Sequence, residues 1–262
     1  MRTASVLVAS TLLALPGIGA AQSTAPAASP HSFTGNFTLA SEYIYRGIGQ
    51  TNREPAVQGG FDYAHASGFY VGIWASNISW LSDTAGGGVS APFEVDLYGG
   101  YKNSFAGGDW NYDLGVLRYN YPGTFPPGFV DPDTTEVYAS IGWKWLSAKY
   151  SYAVSSHLFG FTGTSGENTR GSDYLELNAA YDLGGGWGLA GHVGHQKVDG
   201  NGDASYTDYK IGLTKDVGIG AVGVAYWATN ANGCGDTPPT YCNAFNKDLG
   251  EGRVLATFSK TF

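Results

Sequence analysis

Charge is scarce in this sequence. Asp, Glu, Lys and Arg make up 14 % of its 262 residues, and the 22 acidic residues outnumber the 14 basic ones. A chain at a formal −8 offers no basic face for a phosphate backbone, which argues against nucleic acid as a partner. Cysteine is limited to Cys234 and Cys242, and the five histidines have no metal-ligand spacing, so neither metal nor cofactor is expected. In an oxidising compartment two thiols so close in sequence are expected to form a disulfide. Long apolar runs are also missing. After the first residues nothing approaches the roughly 20 apolar positions that a spanning helix requires, so any membrane crossing must be made by strands. Disorder is excluded by what is present: 43 % hydrophobic residues, 15 % aromatics and 40 glycines.

The beginning of the chain indicates the compartment. Met1-Arg2-Thr3 is a short basic start, 6–15 is apolar, and Gly19-Ala20-Ala21 provides small residues for cleavage. Residues 1–21 therefore read as a secretory signal peptide, too short for a spanning helix. Residues 22–32, small, polar and proline-containing, read as a periplasmic linker, and 33–262 as one all-β domain.

From Phe33 onward the apolar period is two. Strands are expected at 34–46, 56–64, 69–77, 93–101, 110–119, 136–144, 146–154, 174–181, 187–196, 207–215, 221–229 and 253–262. Twelve segments of this kind match the roughly 9–11 residues a tilted strand needs to cross a bilayer. The last one alternates Val254, Ala256 and Phe258 against Thr257, Ser259 and Thr261, and runs to Phe262. A strand that ends on an aromatic suits a barrel whose last strand must pair with its first. Phe262 is also expected to serve as the handle for the outer-membrane insertion machinery.

The connections alternate in length. Those after even strands are short, such as Gly184-Gly185-Gly186, whereas 47–55, 78–92, 120–134, 155–172, 197–206 and 231–252 are mostly long and polar. This is the pattern of an antiparallel up-and-down transmembrane β-barrel with short periplasmic turns and long extracellular loops. Aromatics give an independent check. Tyr101, Trp110, Trp143, Tyr181, Trp187 and Phe262 fall on the outward face at the periplasmic ends, forming an interface girdle against outer-membrane lipid. By the same parity Tyr43, Tyr45, Phe93 and Tyr152 belong to the upper rim. Lys260 falls on the lipid face, tolerable only where a lysine can snorkel to the interface.

Several blocks resemble a known family. These are 39–51 (LASEYIYRGIGQT), 55–64 (PAVQGGFDYA), 68–77 (GFYVGIWASN), 95–101 (VDLYGGY), 112–116 (YDLGV) and 258–262 (FSKTF). They resemble the TorF porin family, earlier catalogued as Gcw_chp, over essentially the whole mature chain. The resemblance implies a Gram-negative outer-membrane barrel and carries no assigned functional residues.

Inward parity selects Glu42, Asp62, Glu94, Asp96, Asp113, Glu136, Glu176 and Asp208, against the basic Arg46, Lys144, Lys149, Lys210 and Arg253. Charges cannot face lipid without costing about 2–4 kcal/mol at the midplane, so the fold forces them inward. They could form mutually neutralising bridges that plug the barrel, or line a water-filled, slightly cation-preferring pore for small solutes. Small inward residues (Gly60, Gly72, Gly115, Gly142, Gly212) are expected to leave room for the pore. The alternative is a non-conducting barrel acting in adhesion or complex formation through its long loops. More remote is an outer-membrane lipid hydrolase, for which His195 has outward parity but no outward serine beside it; an enzyme is not expected. Asp199, Asn201 and Asp203 match the first ligands of a calcium loop, but Ala204 and Lys210 stand where its glycine and bidentate glutamate belong. A polar turn is expected there.

Overall fold

In the computed structural model, which describes residues 29–84 and 87–262, twelve antiparallel strands close into a barrel. In chain order the strands are β1 (His31–Ala40), β2 (Ile44–Tyr45), β3 (Ile48–Gly49), β4 (Ala56–His65), β5 (Phe69–Asn77), β6 (Phe93–Phe105) and β7 (Trp110–Asn120). They continue with β8 (Thr134–Trp143), β9 (Leu146–Ala153), β10 (Asp173–Gly184), β11 (Trp187–Lys197), β12 (Tyr206–Asp216), β13 (Ala221–Thr229) and β14 (Arg253–Thr261). Each wall strand pairs with its neighbours in the wall, and β1 closes the ring against β14 from Asn36↔Thr261 to Ala40↔Thr257. Phe262 completes that seam: its N–H donates to the Gly35 carbonyl at 2.8 Å and its carbonyl accepts from Gly35 at 3.3 Å. Closure leaves no unpaired edge, which is what lets strands exist in lipid. The two-residue strands β2 and β3 form a separate hairpin inside the ring. The expected signal peptide and most of the expected linker lie outside the described residues; β1 takes in His31 and Ser32 from the linker's end.

The period-two pattern has its physical cause in the wall. Phe61, Leu97, Leu114, Ile141, Leu177, Ile211 and Val224 all turn outward and are exposed, while their sequence neighbours face in. An apolar exterior on every strand is the inverse of a water-soluble barrel and fits a hydrocarbon surround. At the short-turn end aromatic rings meet in pairs. Trp110 lies opposite Trp143 with ring centroids 6.2 Å apart, Tyr101 meets Phe69 at 5.1 Å, and Tyr181 packs edge-on against Trp145 at 5.9 Å. Lys215 covers the Trp187 ring, and Lys260 bends back over Phe262, its ammonium 5.1 Å from that ring. The glycine triplet 184–186 turns with positive φ at all three residues, which side chains would resist.

The first strand departs from expectation. It ends at Ala40, not at residue 46, and the chain then leaves the wall and turns into the barrel. Ser41 marks the exit: its N–H donates to the Ala256 carbonyl and its hydroxyl accepts from the Ala256 N–H. Arg46 (φ 45°) and Gly47 (φ 79°) then make the tight turn that joins β2 to β3. Tyr43 and Tyr45 are therefore not upper-rim aromatics; Tyr43 is 3 % exposed and packs inside against Trp74. Alternation misled because a hairpin covered on both faces shows the same period as a wall strand. Lys144 is also corrected. It lies in the turn between β8 and β9, half-exposed and 3.6 Å from Asp109, because the wall strand stops at Trp143. β6 instead runs on to Phe105 and brings Lys102 inward, 4.9 Å from the Tyr70 ring.

Candidate functional site

The site is built around the inward hairpin. Residues 42–51 are buried, apart from a partly covered Tyr45, and their partners come from around the long-loop end of the wall. Glu42 accepts from Arg253 at the start of β14 (3.0 Å), and Tyr43 donates to Glu94 near the start of β6 (3.0 Å). The hydroxyls of Tyr45 and Tyr119, near the end of β7, lie 2.5 Å apart. Arg46 forks onto Glu136 of β8 (Nη1–Oε1 3.0 Å, Nη2–Oε2 2.7 Å) and donates to Gln196 of β11 (2.7 Å). Its guanidinium also lies 4.2 Å from the Tyr174 ring of β10. Gly47 sits so close to the wall that a Cβ there would collide with Thr229 of β13 and Asp208 of β12. A segment held by β6, β7, β8, β10, β11, β12, β13 and β14 must cross the lumen. The hairpin spans the mouth.

Below it, the inward carboxylates share a consistent arrangement. Tyr98 donates to Asp62 (2.6 Å), Tyr70 to Asp113 (2.6 Å), Tyr119 to Glu136 (3.2 Å) and Tyr174 to Asp208 (2.8 Å). With Tyr43 on Glu94, five of the expected inward acids are satisfied by neutral phenols. A phenol solvates a carboxylate without cancelling its charge. Glu176 accepts from Asn178 (3.0 Å), and His192 lies 3.6 Å from Glu176 and 2.9 Å from Asp208. Direct guanidinium pairing reaches only Glu136 and Glu42 among these acids, within the described residues. Lys149 and Lys210 instead stand over the rings of Tyr138 (4.4 Å) and Trp227 (4.8 Å). Asp96 is 0 % exposed, and neither of its oxygens has a hydrogen-bond partner among the described residues. Outside the wall strands, burial raises the Glu42 carboxyl above its ordinary value, and the Arg253 guanidinium only partly offsets this.

Every expected pore-lining position is thus on the inner side. Glu42 and Arg46 reach it from the hairpin, and Asp62, Glu94, Asp96, Asp113, Glu136, Lys149, Glu176, Asp208 and Lys210 from the wall. With Lys102 replacing Lys144, eight carboxylates still face five basic groups. Two of the five inward glycines, Gly72 and Gly115, serve a different end from the one expected, and Gly194 joins them. A Cβ at Gly72 would collide with the Tyr98 ring, at Gly115 with Tyr138 and at Gly194 with Tyr174. These glycines make room for tyrosines of neighbouring strands, which reach across to the carboxylates. Sequence parity could place each tyrosine inward but not reveal its partner, since that depends on register.

Above the hairpin lies a cavity of about 510 Å³, floored by Tyr45, Ile48 and Gln50 and walled by the long loops. Its loop residues include Trp80, Tyr121, Phe129, Phe161 and Tyr241. Sequence reading missed it because its aromatics come from four separate loops with no common spacing. Cys234 and Cys242 are joined by a disulfide in the last of these loops, their Cα atoms 4.7 Å apart. The calcium-like loop is otherwise occupied: Asn201 accepts from Ala204 N–H and donates to the Thr162 carbonyl, while Asp199 pairs with Lys197. On the outer wall His195 contacts the Thr207 hydroxyl at 2.9 Å.

Residues 24–262 match the Gcw_chp family, described as a bacterial protein of unknown function. The chain belongs to the Gcw_chp family. Among curated proteins, none matches the chain. The barrel is similar to solved porins: a KdgM porin in complex with disordered oligogalacturonate has a TM-score of 0.50 at 8 % identity, over 87 % of this chain and 98 % of that one. A NanC porin gives 0.48 at 11 % identity, over 88 % and 98 %. OprD of Pseudomonas aeruginosa gives 0.42 at 14 %, over 89 % and 66 %. At such identities the likeness is one of fold. This Gcw_chp chain carries a hairpin across its mouth and tyrosine-clad carboxylates beneath.

Proposed function

We propose that this Gcw_chp protein is an outer-membrane channel for passive diffusion of small solutes, with a slight preference for cations. The observation that carries this reading is the set of carboxylates whose hydrogen bonds come from tyrosines. Of these, Asp62, Glu94 and Asp113 have no ion-pair partner among the described residues, only Glu136 being forked by Arg46 and Asp208 touched by His192. Acids left in excess along the inner wall favour cations. The hairpin at the mouth then sets the passage size. The oligogalacturonate named with the KdgM structure is a polyanion, and an acid-rich wall disfavours that solute class here. The proposal includes the TorF porin assignment, a cleaved signal peptide, delivery through the periplasm to the insertion machinery, and no enzymatic role. Planar-bilayer recording in a salt gradient tests it: small steps with a cation-selective reversal potential are expected, and silence or anion selectivity would overturn it.

A second reading has its own support. A segment tied to the wall at so many points could close the barrel completely, leaving the loops as an adhesion or assembly surface. Silence in bilayers from correctly folded protein would favour it.

A further inference from the structure

The cavity above the hairpin has a lining of unusual chemistry for the entrance to an acid-rich barrel. Six rings, those of Trp80, Tyr121, Phe129, Phe159, Phe161 and Tyr241, converge on it from four loops, and Tyr45 and Tyr206 contribute from below. Several are locked edge-to-face with one another or with the wall. Trp80 meets Tyr121 at 5.6 Å and 89°, Phe161 meets Tyr241 at 5.8 Å and 61°, and Tyr206 meets Tyr241 at 5.1 Å and 76°. Among the described residues no lysine, arginine or histidine lines it, and the one formally charged residue lining it is Asp83. The Asp83 Oδ2 accepts from the Ser79 hydroxyl at 2.7 Å, while Oδ1 takes no hydrogen bond among the described residues. The lining is held in place from outside the cavity. Tyr241 donates its hydroxyl to the Ala204 carbonyl at 2.6 Å, and the Cys234–Cys242 bond ties the segment carrying it.

We infer that this cavity is a binding site for a small organic cation with an aromatic or comparably apolar body. Aromatic faces offer negative quadrupole potential to a cation and dispersion contacts to a flat apolar body. The Asp83 carboxylate supplies the counter-charge, and the described lining offers no basic residue to partner an anion. The volume of about 510 Å³ lies within the range of small-molecule sites. The inference rests on the channel reading only for what happens after capture. A cation held here stands directly over Tyr45 and Gln50, on the route to the acidic wall.

Three probes that share a ring and differ in charge test it: benzyltrimethylammonium, benzyl alcohol and benzoate, titrated calorimetrically into the folded full chain in micelles. Partition into micelles does not saturate, so only saturable heat counts. The cation should bind at least about tenfold more tightly than benzoate, with benzyl alcohol between. Asp83→Asn should remove the advantage of the cation over the alcohol, and Phe161→Ala should weaken both by about tenfold. Folding of each variant is checked by its heat-dependent mobility in detergent gels. Benzoate binding as tightly as the cation, or no saturable binding to folded wild type, overturns the inference. Saturable cation binding without bilayer conductance would uphold the site while overturning the channel.

Discussion

Arg46 and Glu136 meet as a two-pronged ion pair inside the barrel, Nη1 to Oε1 at 3.0 Å and Nη2 to Oε2 at 2.7 Å, with both side chains almost wholly buried. The pair ties a segment ninety residues away in sequence to the far wall. Removing one member leaves the other charged and unpaired, which costs about 3–5 kcal/mol in buried pairs. Arg46→Ala is therefore expected to lower the urea-unfolding stability in micelles by an amount of that order. If the hairpin limits passage, the same variant will show larger or more frequent conductance steps than wild type.

Gly47 gives the same segment a steric test. Its φ of 79° and its contact with Thr229 and Asp208 leave no room for a methyl group. Gly47→Ala should unseat the turn at a cost of about 1–3 kcal/mol while leaving the wall intact. Limited proteolysis reads this: cleavage within 41–55 is expected in the variant and not in wild type.

Glu42 supplies a pH dependence. Burial raises its carboxyl above 4.5, so the folded protein binds this proton more tightly than the unfolded chain does. Its contribution to stability is then fully present below the ordinary value and is lost as pH rises through the raised one. Comparing wild type with Glu42→Gln by urea titration from pH 4 to pH 8, the stability of wild type relative to the variant should fall as pH rises. A constant difference across that range would show that the environment of Glu42 does not disfavour its charge.

Asp96 is the one fully buried inward acid left without a partner among the described residues. A buried carboxylate without hydrogen bonds is destabilising, and an amide of the same shape removes the charge. Asp96→Asn should raise unfolding stability by about 1–2 kcal/mol. If the wall charge selects ions, it should also reduce cation preference in the bilayer reversal potential.

Leu177 tests the outer face. It lies in the middle of β10, exposed, opposite Val193 and Ala148. Leu177→Arg should cost about 2–4 kcal/mol in a bilayer, as a cation near the midplane does. Folding yields into vesicles should drop, whereas Ser147→Arg on the inner face should fold at a yield near wild type.

The wall was legible because lipid and lumen impose opposite chemistry on alternate residues. That is why Phe69–Asn77 and Ala221–Thr229 appear in the structure with the bounds expected of them. The pairing of Trp110 with Trp143 was legible for the same reason, since the two had to lie at one level once the turns were counted. The hairpin was not. Tyr43 and Tyr45 alternate with Glu42 and Arg46 as wall residues would, and only the position of Glu94, Tyr119, Glu136 and Arg253 around the mouth shows that the segment turns inward. The cavity was hidden more completely, because its rings come from loops without a period.

The sequence by itself determined a closed barrel with an apolar exterior and acids inside, because a period of two combined with alternating loop lengths admits one arrangement of strands in a membrane. Tertiary structure alone decided what those acids touch. Register brought Tyr98 to Asp62 and Tyr70 to Asp113, over glycines that leave space for the rings. Arg46 was carried across the lumen to Glu136. Those pairings depend on which strand ends meet around a ring, a long-range geometry that no local pattern of residues encodes.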